Sequence, residues 1–177
     1  MKKTVISAFW DLLKNKKQIL RIAAIIILLF LTYILDMMPF TYPQGISPDL
    51  LIVFAVCVAI FEAPLNAAII GAIAGLLKDI SSSGLFGFHG VVYLCLCVAV
   101  SLCIAFLVRR TFLNAVIINL IAVFTDKIFY FFIYNVLFDR GGGFVIFYRS
   151  LLPSFLLSIV AVPAFYFIIK KISIHLE

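Results

Sequence analysis

The chain has 177 residues, of which 66% are hydrophobic and 12% charged, with a mean hydropathy of +1.25 and a net charge of +6. Soluble domains use about 45–50% apolar residues, so this composition excludes a water-soluble fold and leaves no room for a separate soluble catalytic module. In such a chain the basic excess is a topology signal rather than a nucleic-acid footprint.

Residues 1–21 are basic and carry Ile6, Phe9, Trp10 and Leu13 at helical spacing, with the lysines mostly on the other side. That pattern predicts an interfacial amphipathic helix on the cytoplasmic surface, with a loosely ordered basic tail as the alternative. No A-x-A cleavage site follows the first apolar run, which argues against a signal peptide. Six apolar runs come next, at residues 22–38, 48–61, 64–80, 90–108, 112–138 and 144–169. A hydrocarbon core of about 30 Å needs roughly 20 helical residues. Continuous apolar runs exclude the alternating pattern of a membrane barrel. The expectation is an all-α integral membrane protein, a compact bundle of six transmembrane helices over residues 22–171 with a cytoplasmic tail at 172–177.

The second run is short for a span, but its start is well marked: Ser47 as cap, Pro48 as first helical residue and Asp49 at the positive end of the dipole. It is counted as a short span. In the third run Ala63, Ala67, Gly71, Gly75 and Asp79 recur every four residues and form one stripe. Small residues at that spacing let a second helix approach closely in lipid. Asp79, ending the stripe beside Lys78, is expected to accept bonds from Ser81, Ser82 and Ser83 or to pair with a base on another helix.

Cys57, Cys95, Cys97 and Cys103 lie in apolar runs without C-x-x-C spacing and read as small core residues. In the fifth run Asn119, Asp126 and Lys127 read as intramembrane polar ties, adjacent helical positions diverging too far for the last two to face each other. In the sixth, Ser150, Ser154 and Ser158 form another small stripe, Pro153 and Pro163 kink the helix, and Arg149 snorkels to the surface. Lys2, Lys3, Lys14, Lys16, Lys17, Arg21, Arg109, Arg110, Lys170 and Lys171 all fall on one side of a six-span chain, which places both termini in the cytoplasm. The histidines, His89 and His175, stand alone, and no G-x-S-x-G, H-E-x-x-H or P-loop occurs, so neither catalysis, a metal nor a cofactor is expected.

The stretch "SPDLLIVF", a turn through Pro64 and then "GAIAGLLKDISSSGLFG" resemble the family of the rod-shape-determining membrane protein MreD. The family pattern G-x-x-x-G-x-x-x-D followed by a Ser and Gly turn with F-G falls on Gly71, Gly75, Asp79, Phe86 and Gly87. Glu62 and Ala63 depart from it, standing where family members often carry basic residues, and Lys78 has no counterpart. The resemblance implies a non-enzymatic component of the bacterial cell-wall elongation complex in the cytoplasmic membrane. Its implied partners are MreC, RodA and a class B penicillin-binding protein, with MreB indirectly on the cytoplasmic side. It also implies a fold like the substrate-binding subunits of energy-coupling-factor transporters, and such a vitamin-binding subunit is the alternative function. That alternative has "FYFFIYNVLF" in its favour as pocket lining; against it, the first helix lacks the A-x-x-x-A docking pattern.

Overall fold

The computed structural model describes residues 2–37, 49–81, 86–132 and 152–175, with side chains from residue 20 onward apart from those of 152, 153, 155, 174 and 175. Six helices lie among them: α1 (Lys2–Met37), α2 (Leu50–Phe61), α3 (Pro64–Ser81), α4 (Phe88–Phe106), α5 (Phe112–Phe132) and α6 (Leu152–His175). They alternate in direction. Five hold apolar windows of 18 residues or more, in α1, α3, α4, α5 and α6. At 1.5 Å per residue each window is about 27 Å or longer, enough to cross a bilayer core. The protein is therefore an all-helical, multi-pass membrane bundle.

The remaining helix, α2, is different. The sequence counts the second run as a short span, whereas α2 has 12 residues, about 18 Å of helix. It carries no polar face, and from Leu51 to Ile60 no side chain is more than 1% exposed. The other five helices all pack against it. A helix that is apolar all round must be enclosed, and here protein rather than lipid encloses it.

The outer helices show the opposite economy of space. On α3, Leu65, Ile69, Ile73, Leu76 and Ile80 are exposed, while Ala67, Gly71, Ala74, Gly75 and Asp79 on the opposite face are buried. On α5, Leu113, Ile117, Leu120, Ile121 and Ile128 face out, and Ala115, Asn119, Ala122, Val123 and Asp126 face in. Large apolar chains outside and small or polar ones inside is the distribution a lipid solvent selects. It also corrects one sequence expectation: Cys57 and Cys97 are buried, but Cys95 and Cys103 are exposed. An apolar neighbourhood does not mark the core when the surroundings are as apolar as the core.

The tightest pairing is α3 against α4. A methyl group on Gly75 would lie 2.2 Å from the His89 carbonyl oxygen, and one on Gly71 would lie 2.7 Å from that of Tyr93. The two backbones are in direct contact at both positions. α4 starts from Gly87, whose φ of 92° is left-handed and favours glycine. Phe86 beside it is exposed. In α6, Pro163 lies inside the helix.

Truncation should separate the enclosed helix from the lipid-facing ones. Phe54→Ala is expected to lower stability by about 3–5 kcal/mol, and Leu113→Ala, on the outer face, by well under 1 kcal/mol; thermal unfolding in detergent followed by circular dichroism reads the difference.

Candidate functional site

A helix leaves its first N–H groups without intrahelical partners, and one buried in protein cannot turn to water for them. Asp49 occupies the N-cap position of α2, in place of the expected Ser47, and its side chain makes no cap bond. Instead the Leu50 N–H donates to Asp36 Oδ1 on α1 at 3.0 Å, and the Asp49 N–H donates to Ser158 Oγ on α6 at 2.9 Å. Ser158 in turn donates to the Ser154 carbonyl at 2.8 Å. Two other helices therefore cap α2. Ser47, Pro48 and Ser150 lie outside the described residues.

This arrangement leaves the Asp49 carboxylate available for bases. Lys78 Nζ on α3 lies 2.9 Å from Asp49 Oδ1 and 2.9 Å from Asp36 Oδ2. Lys127 on α5 pairs with Asp49 Oδ2. Asp36, Lys78, Asp49 and Lys127 thus form an alternating chain of two acids and two bases joining α1, α3, the start of α2 and α5. Its formal charge is zero. Isolated charges at this depth are costly, and pairing them removes most of that cost. The sequence alone gives Asp36 no role and Asp49 only a dipole role. The presence of both acids and bases in apolar runs is the available signal, and it does not say which residues pair.

Lys78 and Asp79 are neighbours in sequence but serve different clusters, because successive positions on a helix point about 100° apart. Asp79 faces α4. Its Oδ2 accepts the N–H groups of Gly87 at 3.0 Å and Gly90 at 3.1 Å; its Oδ1 accepts the His89 N–H at 3.1 Å and lies 2.7 Å from His89 Nδ1. The carboxylate thus caps α4, with the positive end of that helix's dipole directed at it. Ser81 plays a different part from the one the sequence suggests, its Oγ donating to the Lys78 carbonyl at 2.8 Å; Ser82 and Ser83 lie outside the described residues. The α4 amides reach Asp79 because Gly71 and Gly75 let the start of α4 approach α3 closely.

Asn119 and Asp126 both face the interior of α5, 0% and 3% exposed. Asn119 Nδ2 donates to the Ala115 carbonyl at 2.9 Å and approaches Cys57 Sγ at 3.5 Å. Asn119 Oδ1, Asp126 Oδ1 and the hydroxyl of Tyr93 on α4 are buried without a hydrogen-bond partner. Arg149 lies outside the described residues.

A second polar cluster closes the opposite end of α2. Arg21 on α1 pairs with Glu62 at 2.7 Å and donates to Ser173 Oγ on α6 at 3.0 Å. Asn66 donates to Glu62 Oε2 at 3.2 Å, and Ser101 on α4 donates to the Glu62 carbonyl at 2.8 Å. The sequence reads Arg21 only as a topology signal and Glu62 as a departure from the family. Together they form the clamp on the α2–α3 turn. Among the described residues no group of three or more His, Cys, Asp or Glu side chains is placed to hold a metal ion.

Five long apolar helices around a short enclosed one, with ionisable groups turned inward, define a multi-pass membrane bundle. The family model described as rod shape-determining protein MreD matches residues 15–173, and the chain belongs to that family. The resemblance carried by the motif from Gly71 to Gly87 is thereby extended to nearly the whole chain, and with it comes a role in rod-shape determination. Neither the curated proteins nor the solved structures compared with the chain give a match.

Removing one member of the charge chain strands its partners. Lys78→Met is expected to cost about 3–5 kcal/mol, and Lys78→Met combined with Asp36→Asn to recover part of that loss, both read as thermal midpoints. Asp79→Ala, which leaves three amides of α4 unsatisfied, should cost about 3 kcal/mol; a midpoint equal to that of the unaltered protein would show that the Asp79 cap adds no stability.

Proposed function

We propose that the protein is a non-catalytic scaffold of the bacterial cell-wall elongation complex that binds MreC and acts with the peptidoglycan synthases RodA and a class B penicillin-binding protein, MreB being reached indirectly. The match of the MreD family model to residues 15–173 carries this reading. The interior supports it: Asp36, Asp49, Lys78 and Lys127 are engaged with one another, and Asp79 with the start of α4. Groups committed to holding helices together suit a frame for partners. The outer faces of α1 and α3 are broad and apolar, as a single-span partner requires. The distribution of Lys and Arg supports a cytoplasmic position for both termini.

The alternative, a vitamin-binding transporter subunit with the corresponding fold, requires a cavity with convergent polar groups. The groove between α1 and α3, about 200 Å³, is lined by Ile22, Ile25, Ile26, Ile69, Ile70 and Ile73, with Glu62 and Asn66 at its polar margin. Glu62 there is already engaged by Arg21. This speaks for the scaffold.

Tagged MreC from the same cell, extracted in mild detergent, should retain this protein, and replacing the MreC membrane span with an unrelated apolar helix should reduce recovery at least tenfold. Failure to co-purify in detergent and in lipid nanodiscs alike would refute the scaffold reading.

A further inference from the structure

Of the four inward acids at the α2 N-terminal end among the described residues, three are matched by neutralising groups. Asp36 and Asp49 are matched by Lys78 and Lys127. Asp79 has three backbone N–H groups and His89. Asp126 is 3% exposed, and its Oδ1 has no hydrogen-bond partner. The adjacent ammonium, Lys127, points to Asp49 instead.

Among the described residues, the surroundings of Asp126 do not supply the missing charge. Within electrostatic reach lie Asp49 at the start of α2, Lys78 on α3 and His89 on α4, besides Lys127 on α5 itself. Both lysines are held by Asp49, and His89 by Asp79. The described residues that α6 brings to this end, Ser154 and Ser158, are uncharged. Tyr93, whose buried hydroxyl also lacks a partner, lies within electrostatic reach of Asp126 and in edge contact with His89 at 5.9 Å. An ionised carboxylate left alone in a membrane interior is untenable; it is neutralised or acquires a counter-charge. The two unpartnered groups here are both oxygens, which suit a proton or a hard cation rather than a soft metal.

We propose that Asp126 forms a site for one small monovalent cation, a proton or an alkali-metal ion, inside the bundle. It goes beyond the scaffold reading and does not depend on it. Occupancy of the site completes the charge balance of the helices around α2, so the packing at that end responds to the ion.

Purified full-length protein in nanodiscs tests this, with infrared difference spectroscopy and thermal unfolding as readouts. If the charge is a proton, a protonated-carboxyl band is present at neutral pH and disappears in Asp126→Asn. If it is an alkali ion, sodium chloride raises the unfolding midpoint by a few degrees over N-methyl-D-glucamine chloride at equal ionic strength, as binding to the folded state alone requires, and Asp126→Asn abolishes the difference. The comparison of salts on the unaltered protein stands even if a variant fails to fold. Absence of the band together with identical midpoints in the two salts would overturn the proposal.

Discussion

The enclosure of α2 is the constraint from which the rest of the structure follows. Ten successive residues of that helix are shut away from lipid, so its side chains are satisfied by apolar contact alone. Its ends are another matter. A helix whose terminus is buried must find protein partners for its free amides and carbonyls. Both polar clusters sit at those two ends: Asp36, Asp49, Lys78, Lys127 and Ser158 at the start, Arg21, Glu62, Ser101 and Ser173 at the finish. Among the described residues, the ion pairs made by Lys and Arg lie at the two ends of one short helix.

The α3–α4 pair shows how small residues and a carboxylate act together. Gly75 allows the His89 backbone to approach so closely that no side chain fits between. That closeness brings three α4 amides onto Asp79. Neither feature would suffice alone. Without the glycine the amides are out of reach, and without the acid the approach leaves them unsatisfied in a medium that offers no water. Lys78, one position earlier, rotates away from this pair and joins α3 to α1 and α2, so two adjacent residues bind α3 to different neighbours.

For a member of the MreD family, a rigid interior and an apolar exterior are complementary requirements. Interhelical bonds in a membrane are individually modest, so a lasting shape needs several of them converging on a common element, and α2 is that element. Asp126 is the exception, an interior acid whose Oδ1 has no hydrogen-bond partner among the described residues. It is the point in an otherwise balanced interior where a small charge can enter.

Much of this protein is legible in one dimension. The membrane class, the all-helical architecture, the small-residue stripe through Gly71 and Gly75 and the family pattern ending at Gly87 follow from composition and spacing, because periodicity and apolar length are local properties of the chain. Which helix lies inside, which acid meets which base and which cysteines face lipid were decided only in three dimensions. In lipid an outward face is as apolar as a core, so burial leaves no mark on hydropathy, and α2 reads like any short span. Asp36 meets Lys78 across 42 residues and Lys127 meets Asp49 across 78; pairing at such separation is set by how the helices pack, which the order of residues along the chain does not contain.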